Sequence, residues 1–269
     1  GLAAVPGGAA EVVDRLVAAA VLVTTSGVAF SPCLALAVRA PSDSGGIVSP
    51  ALDPPQPGSR MLRLIRADGR EFFTRRTAGI LLAGAALTGA SLVFEDPDRT
   101  ADLLGGLTWE RVADVGNFYG NGVTLGLGAL ALLAAGEVAG DANMRGAGLE
   151  AARSIVYAYA MVGGLKVAVD RTRPDGGRYS FPSGHAAGTF AIAPVLSRRF
   201  GRRLGLPAYG LAVAAAVGRL EDRKHYLSDV VFGAALGASV GLAVSRSDPA
   251  APGVRVSLTP GTAAVSVRF

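Results

Sequence analysis

The sequence predicts an all-α fold, a bundle of helices that ends in a short β-hairpin. Half of the 269 residues are apolar, and the mean hydropathy is +0.40. Apolar runs recur along the chain, separated by glycine, proline and clusters of charge, which is typical of helices joined by short connections. Only the last segment differs. Residues 254–269 alternate apolar and polar side chains around Pro260 and Gly261, which predicts two strands and a tight turn.

The N-terminal part of the chain is predicted to lie outside the bundle. Residues 16–30 form an apolar run after Arg15, and the letters "ALA" follow at residues 35–37. This pattern fits both a signal peptide with a cleavage site and a first membrane helix, so residues 1–40 are predicted to be one or the other. The segment "PSDSGGIVSPALDPPQPG" comes next, and its proline, glycine and serine content predicts a linker over residues 41–59.

The bundle is predicted over residues 60–248, and the hairpin forms an extension over residues 249–269. In the last predicted helix, glycine recurs at every fourth position, which leaves bare backbone on one face and predicts close approach by another helix. These glycines are Gly233, Gly237 and Gly241. The apolar runs that predict the helices span residues 78–94, 115–136, 154–165, 184–196, 204–218 and 230–244.

Helix boundaries in the second half of the bundle matter most for function. One helix is expected to end soon after Lys166, where "DRTRPDGGRYSFP" predicts a loop. The next is expected to start near Gly184 and to end at "SRRFGRR". A third is expected from about Pro207 to Arg219, and a fourth is expected to begin close to His225.

Composition alone does not decide whether the bundle lies in a membrane or in water. Most apolar runs are shorter than the roughly 20 residues of a straight membrane span, but several lack any charge. We favour a multi-span membrane bundle over an Ala-rich soluble one. The formal charge is +5, and the clusters "RMLRLIRADGREFFTRR" and "SRRFGRR" favour anionic headgroups on the cytoplasmic side. The pattern of basic residues does not predict nucleic-acid binding, and the single cysteine excludes an intrachain disulfide.

Three short segments carry residues suited to binding a phosphate. They are "KVAVDRTRP", "PSGH" and "RLEDRKHYLSD", and each falls at a predicted helix end. Lys166, Arg173 and Arg219 supply cations for phosphate oxygens. Ser183 and Gly184 stand where a helix begins, so their backbone N–H groups are expected to face an anion.

The chain has two histidines, and both fall in these segments. His225 and Asp229 are four residues apart and share a helical face if the helix has started by His225. The carboxylate then takes the proton of one imidazole nitrogen and leaves the other free to attack. His185 is placed to protonate a leaving oxygen. Each of these residues alone is explained by capping or surface hydrogen bonds, and only the conjunction predicts a site.

The three segments resemble the signature motifs of the type 2 phosphatidic acid phosphatase (PAP2) superfamily, which includes vanadium haloperoxidases. That pattern runs Lys, six residues, Arg-Pro; then Pro-Ser-Gly-His; then Ser-Arg, five residues, His, three residues, Asp. The sequence departs from it only at Gly218, where the pattern has serine. The resemblance covers residues 166–237 and implies a helical bundle of the PAP2/haloperoxidase type. The departure puts one local hydrogen bond in doubt.

The resemblance also implies a role for each matching position. His225 is expected to be the nucleophile that forms a phosphohistidine, Asp229 to orient it, and His185 to act as acid and then as base. No metal or other cofactor is expected, apart from vanadate if the protein is a haloperoxidase. The residues expected to hold the phosphoryl oxygens are Lys166, Arg173, Ser183, Gly184 and Arg219. Charged residues that flank the site are expected mainly to be solvated loop residues: Asp170, Arg171, Asp175 and Arg178.

The predicted function is therefore metal-independent hydrolysis of a phosphate monoester or diphosphate. A lipid is the favoured substrate: phosphatidic acid, phosphatidylglycerol phosphate or polyprenyl diphosphate. The alternatives are a soluble acid phosphatase of broad specificity, a vanadate-dependent haloperoxidase and a catalytically silent lipid-binding membrane protein. The predicted location is the bacterial inner membrane with a periplasm-facing site, or the periplasm after export. The oligomeric state is left open.

Overall fold

A computed structural model of the chain describes residues 57–104, 107–247, 253–259 and 262–268. The predicted signal peptide or first membrane helix lies outside the described residues, as does most of the predicted linker. The first described helix begins at Pro57, inside the segment predicted as the end of that linker.

The described residues form nine helices and one pair of strands. The strands pair in antiparallel fashion, with Gly253 opposite Arg268 and Thr259 opposite Thr262. The elements are α1 (Pro57–Phe72), α2 (Arg75–Val93), α3 (Pro97–Leu104), α4 (Leu107–Gly120), α5 (Gly122–Ala139), α6 (Ala142–Val169), α7 (Gly184–Phe200), α8 (Arg202–Glu221), α9 (Leu227–Ser247), β1 (Gly253–Thr259) and β2 (Thr262–Arg268). The helical bundle predicted from the sequence is thus the fold of the described chain.

Polar caps set helix ends that hydropathy alone does not reveal. The apolar run 115–136 is divided between α4 and α5 because Asn121 caps α5, accepting a hydrogen bond from the N–H of Val123 at 2.9 Å. The side chain of Asp141 caps α6 in the same way. Helix α8 begins before Pro207, which had been predicted as its start. The proline removes only one backbone hydrogen bond close to the helix start, so α8 extends back to Arg202.

Helix α9 packs directly on α7. A Cβ atom added at Gly233 would lie 2.6 Å from the carbonyl oxygen of Ser183. Added at Gly237 or Gly241, it would come within 3.0 Å of a carbonyl oxygen in the next turns of α7. The close helix approach predicted from these glycines is therefore confirmed, and it fixes the start of α9 beside the start of α7.

Four of the described helices are long and apolar enough to cross a membrane: α2, α5, α6 and α9. In α9, 61% of the most apolar stretch is buried inside the bundle. In each of the other three helices, 17–28% of that stretch is buried. Large apolar side chains on the outer helices face outward, for example Leu82, Leu127 and Val167. Helix α9 is therefore internal, and α2, α5 and α6 present apolar surface on the outside of the bundle.

The two ends of the bundle differ in chemistry. The end of α6, the start of α7, the end of α8 and the start of α9 meet at one end, where all three motifs lie. At the other end, the buried Arg199 of "SRRFGRR" pairs with Glu150 at 2.6 Å. The amide of Asn143, in the first turn of α6, donates to the carbonyl oxygen of Arg199 at 3.0 Å. The basic junction between α7 and α8 is thus at the end opposite the motifs.

Candidate active site

Lys166 organises the loop that joins α6 to α7. Its Nζ donates to the carbonyl oxygens of Tyr179 at 2.5 Å and Ser180 at 3.3 Å. The N–H of Ser180 donates in turn to the carbonyl oxygen of Arg171 at 2.7 Å. Lys166 therefore anchors the loop with two of its N–H groups and keeps one for a ligand.

Arg173 projects from a tight turn inside this loop. Its N–H donates to the carbonyl oxygen of Gly177 at 2.7 Å, and Asp175 closes the turn by accepting from the N–H of Gly177 at 3.0 Å. The Nε atom of Arg173 is buried and has no hydrogen-bond partner. Its guanidinium lies within electrostatic range of Lys166 and Arg219. Three cations therefore face one another, an arrangement that an anion would stabilise.

Ser183 acts differently from its predicted role at the start of α7. Its backbone N–H donates to the carbonyl oxygen of Asp229 at 2.9 Å, and so it does not face an anion. Its Oγ caps the helix and accepts from the N–H of Ala186 at 3.4 Å. Gly184 and His185 occupy the first two helical positions, whose N–H groups have no acceptor within the helix. An anion at this helix start would therefore contact Gly184 and His185.

His225 lies before α9 rather than on it. Helix α9 begins at Leu227, so the shared helical face expected for His225 and Asp229 is wrong. The loop places the pair together instead, because the N–H of His225 donates to the carbonyl oxygen of Arg219 at 3.2 Å. Nδ1 of His225 lies 3.6 Å from Oδ2 of Asp229, which is close but longer than a hydrogen bond.

Asp229 is fully buried and is surrounded by donors. Its Oδ2 accepts from the N–H of Tyr226 at 2.9 Å and from the hydroxyl of Ser180. Its Oδ1 accepts from Nη1 of Arg171 at 2.8 Å. These contacts fix the carboxylate beside the imidazole of His225.

Arg171 is a structural residue of the site, and its prediction as a solvated loop charge is wrong. Its side chain is 9% exposed, and its guanidinium lies 3.9 Å above the ring centre of Tyr226. Nη2 of Arg171 pairs with Glu95 at 2.5 Å, and Glu95 also accepts from the N–H of Ser228 at 3.0 Å. A chain of contacts thus runs from Glu95 through Arg171 to Asp229. The other flanking charges form ion pairs in more exposed positions, Asp170 with Arg178 and Asp175 with Lys224.

Arg219 is held from the side by two polar residues. Its Nε donates to Oδ1 of Asn117 at 2.9 Å, and its Nη2 pairs with Asp222. Helix α4, which carries Asn117, also forms a wall of the site, because a Cβ atom at Gly120 would lie 2.9 Å from Cδ2 of His185. The motif comparison alone does not reveal Asn117, Glu95 or Arg171. Asn117 and Glu95 lie outside the motifs, and Arg171 is one of the six unspecified residues between Lys166 and Arg173.

Burial favours the neutral form of both imidazoles. Burial lowers the pKa of His225, and Asp229 opposes this shift. Burial, together with the neighbouring Arg219, His225, Arg173 and Lys166, lowers the pKa of His185 to about 4. A bound phosphate would offset the repulsion from these cations and raise the pKa of His185, which favours its protonated form when a ligand is present.

The structure thus brings together both histidines, Asp229 and the three predicted cations at one end of the bundle. A small cleft opens beside His225 and Tyr226. Among the described residues, no group of three or more His, Cys, Asp and Glu side chains is arranged to hold a metal ion. The geometry offers a nucleophile, a proton donor and a cationic cradle, the group formed by Lys166, Arg173 and Arg219.

Comparisons with known proteins agree with the motifs. The PAP2 superfamily profile matches residues 175–251. Lipid A 1-phosphatase of Porphyromonas gingivalis is 37% identical over 90 residues, which are 30% of this chain and 20% of that protein. Decaprenylphosphoryl-5-phosphoribose phosphatase of Mycobacterium tuberculosis is 38% identical over 106 residues, which are 36% of this chain and 58% of that protein. The matches thus span a fifth of one relative and somewhat over half of the other.

A solved structure is also similar, the transmembrane PAP2 type phosphatidylglycerolphosphate phosphatase from Bacillus subtilis. The similarity covers 70% of this chain and 93% of that chain, with 20% sequence identity and a TM-score of 0.42. The similarity to the family therefore lies in the three motifs and in the match over residues 175–251. In this part of the chain, the sequence is similar to the PAP2 superfamily.

Proposed function

We propose that this protein is a phosphatase that hydrolyses a phosphate monoester or diphosphate through a phosphohistidine, without a metal ion. The observation that carries the proposal is the meeting of both histidines with Lys166, Arg173 and Arg219. Two neutral imidazoles among three cations suit a reaction that needs a nucleophile, a proton donor and stabilised negative charge. Both relatives are named as phosphatases, which supports the reaction class.

In the first step, Nε2 of His225 attacks phosphorus. Asp229 lies beside Nδ1, which leaves Nε2 as the attacking atom. The P–N bond forms while the bond from phosphorus to the leaving oxygen breaks, and the protonated His185 gives its proton to that oxygen. His185 has taken up this proton on substrate binding, when the phosphate raises its pKa.

In the second step, a water molecule attacks the phosphorus of the phosphohistidine. The now neutral His185 takes a proton from the water as the new P–O bond forms. The P–N bond breaks, and its electron pair returns to Nε2 of His225. One water is consumed for each phosphate released, and both histidines regain their starting state when phosphate leaves.

The cradle binds the oxygens on which negative charge develops. Arg173 and Arg219 present guanidinium N–H groups, and Lys166 adds its remaining N–H. The start of α7 contributes the backbone N–H of Gly184, and the hydroxyl proton of Ser183 is free to turn toward a phosphoryl oxygen. In a half-buried site these donors stabilise the transition state more than they would in water.

A phosphorylated lipid is the proposed substrate. The names of both relatives describe lipid phosphates or lipid-linked phosphates as their substrates. Four helices of this chain are long and apolar enough to cross a membrane, and an exposed Phe94 and Leu227 line the cleft beside His225. These two exposed side chains would offer apolar contacts to an acyl or prenyl chain near His225.

The proposed location is the bacterial inner membrane, with the site on the periplasmic side. At the end opposite the site, Arg246 lies within electrostatic range of Arg76 and Arg198. Clusters of arginine favour the cytoplasmic side of a membrane. The arginine cluster at the end opposite the site therefore supports an outward-facing site.

Phosphate release in detergent tests the proposal. The purified chain is incubated with excess chelator and with phosphatidic acid, phosphatidylglycerol phosphate, polyprenyl diphosphate or p-nitrophenyl phosphate. We expect turnover of at least one lipid at a higher kcat/KM than that of the water-soluble ester, and a loss of about 1,000-fold or more in His225→Ala. Release that stops with chelator, or that persists in His225→Ala, would overturn the mechanism. Preference for the water-soluble ester would overturn only the lipid assignment.

A further inference from the structure

Asn117 occupies the space where the motif's serine side chain would lie. The chain has Gly218 before Arg219, where the family pattern has serine. A Cβ atom at Gly218 would lie 2.6 Å from Oδ1 and 3.1 Å from Cγ of Asn117. It would also lie 2.8 Å from the carbonyl oxygen of Ala113. A serine at this position and the observed Asn117 therefore exclude each other.

The amide of Asn117 closes a ring of polar contacts around Arg219. Its Oδ1 accepts from Nε of Arg219 at 2.9 Å, and its Nδ2 donates to Oδ2 of Asp222 at 2.9 Å. The same carboxylate pairs with Nη2 of Arg219. These contacts engage Nε and Nη2 of the guanidinium and leave its Nη1 edge free of these two partners, and Arg173 lies within electrostatic range of the group.

Packing of α4 on α8 does not depend on this amide. At Gly116, a Cβ atom would come within 3.0 Å of the backbone of α8 at Ala214, and at Gly120 it would lie 3.1 Å from Cβ of Ala215. These glycines sit one position before and three positions after Asn117, so bare backbone already brings the two helices together. The hydrogen bond to Arg219 is thus a separate function of the asparagine.

We propose that Asn117 is a positioning residue for Arg219 and replaces the serine that this chain lacks. Its amide oxygen orients the guanidinium so that the free edge meets a phosphoryl oxygen. The inference rests on the proposed phosphatase function and deepens it. It links the one departure from the motif to a residue 102 positions away in sequence.

A double-mutant cycle tests this coupling. Asn117→Ala, Arg219→Ala and the double variant are compared with the unmodified chain for kcat/KM. We expect about a tenfold loss for Asn117→Ala, in line with loss of one hydrogen bond to a charged group. In the Arg219→Ala background, Asn117→Ala should lower kcat/KM by less than twofold. Losses that multiply in the double variant would mean that Asn117 acts only through general stability, and would overturn the inference.

Two side-chain replacements of similar size guard against a folding defect. Asn117→Gln keeps an amide oxygen for Nε of Arg219 and an amide N–H for Asp222, and Asn117→Leu fills the space with neither. We expect the glutamine variant to keep most of the activity and the leucine variant to behave like alanine. Equal activity in the two would contradict the role of the amide oxygen.

Asn143 provides the matched control, because it makes an asparagine–arginine contact with Arg199 at the other end of the bundle. Asn143→Ala should lower the melting temperature without changing KM for the phosphate ester. A rise in KM equal to that of Asn117→Ala would contradict a specific role for Asn117.

Binding of inorganic vanadate tests the same coupling without turnover. Its affinity is measured by thermal shift for the unmodified chain, the two single variants and the double variant. The cycle should show that Asn117→Ala weakens vanadate binding only when Arg219 is present. If the unmodified chain binds vanadate but releases no phosphate from any ester, the proposed function fails and this inference survives on the binding cycle. If the unmodified chain does not bind vanadate at all, the inference about Asn117 fails.

Discussion

His225 carries the proposed chemistry, but distant parts of the chain hold its partner Asp229 in place. Arg171 donates to Asp229 at 2.8 Å, and Glu95 pairs with Arg171 at 2.5 Å. Glu95 and Arg171 are 76 positions apart in sequence, and Glu95 and Ser228 are 133 apart. The imidazole is therefore oriented by the folded bundle as much as by its own motif.

Glu95→Gln should lower kcat about tenfold, because the neutral amide no longer balances Arg171 and Asp229 loses its fixed orientation. Steady-state kinetics with the best substrate measures this. Glu137→Gln is the control, since it alters an exposed pair with Arg145 and should leave kcat unchanged. An unchanged kcat in Glu95→Gln would show that the contact chain does not act on the nucleophile.

The pH dependence of kcat/KM should reflect the environment of His225. Only the neutral imidazole attacks, and it is neutral at pH values above its pKa. Burial lowers that pKa below its ordinary value of 6.5. The acid limb of kcat/KM should therefore be centred below pH 6.5, when it is measured with a substrate that does not titrate over this range. An acid limb centred at or above pH 6.5 would contradict the assignment.

Spacing in the sequence was enough to single out the two histidines and three cations that meet at this end of the bundle, because each motif is continuous in the chain. Their catalytic and phosphate-binding roles stay predictions. Arg171, Glu95 and Asn117 were not predicted in these roles. Their partners are set by helix packing, and a charge beside a motif looks the same in sequence whether it is buried or solvated. Arg171 was for this reason expected in solvent and is instead 9% exposed.

Helices α7 and α9 act as one unit that positions the site. Gly233, Gly237 and Gly241 bring the backbone of α9 against carbonyl oxygens of α7. This contact sets the start of α9, with Asp229, against the N–H of Ser183. The periodic glycines made the contact predictable, whereas the exact start of α9 was not, because His225 lies in a loop that follows a residue with φ of 53°, Arg223.

Gly237→Ala should destabilise the protein by about 1–3 kcal/mol, because the new Cβ atom meets a backbone carbonyl that cannot move aside without shifting α7. Gly163→Ala in α6 is the control, since no atom lies within 4 Å of its added Cβ, and it should stabilise by about 0.5–1 kcal/mol. Melting temperatures in detergent measure both. A Gly237→Ala variant as stable as the parent would contradict the tight contact.

Across the whole molecule, α9 is the most buried of the four long apolar helices, and different sets of basic residues lie at the two ends. The cradle lies at one end, and Arg76, Arg198 and Arg246 lie at the other. Hydropathy and basic clusters made this polarity visible in the sequence. The internal position of α9 was not visible, because its composition resembles that of the outer helices.

Accessibility of introduced cysteines tests the proposed orientation in the membrane. In a Cys33→Ser background, Thr172→Cys lies in the exposed loop beside the site and Arg203→Cys at the exposed opposite end. A maleimide that does not cross membranes should label Thr172→Cys in cells with a permeabilised outer membrane, and Arg203→Cys only after lysis. The reverse pattern would contradict a periplasm-facing site.

The central claim is a covalent bond between phosphorus and the imidazole of His225, and trapping that bond tests it most directly. The protein is mixed with a phosphorus-32-labelled substrate, quenched in base within milliseconds and digested for mass spectrometry. The account predicts base-stable, acid-labile label on the peptide that contains His225, and none in His225→Ala. Steady phosphate release with no label on the protein, or label that remains in His225→Ala, would contradict it.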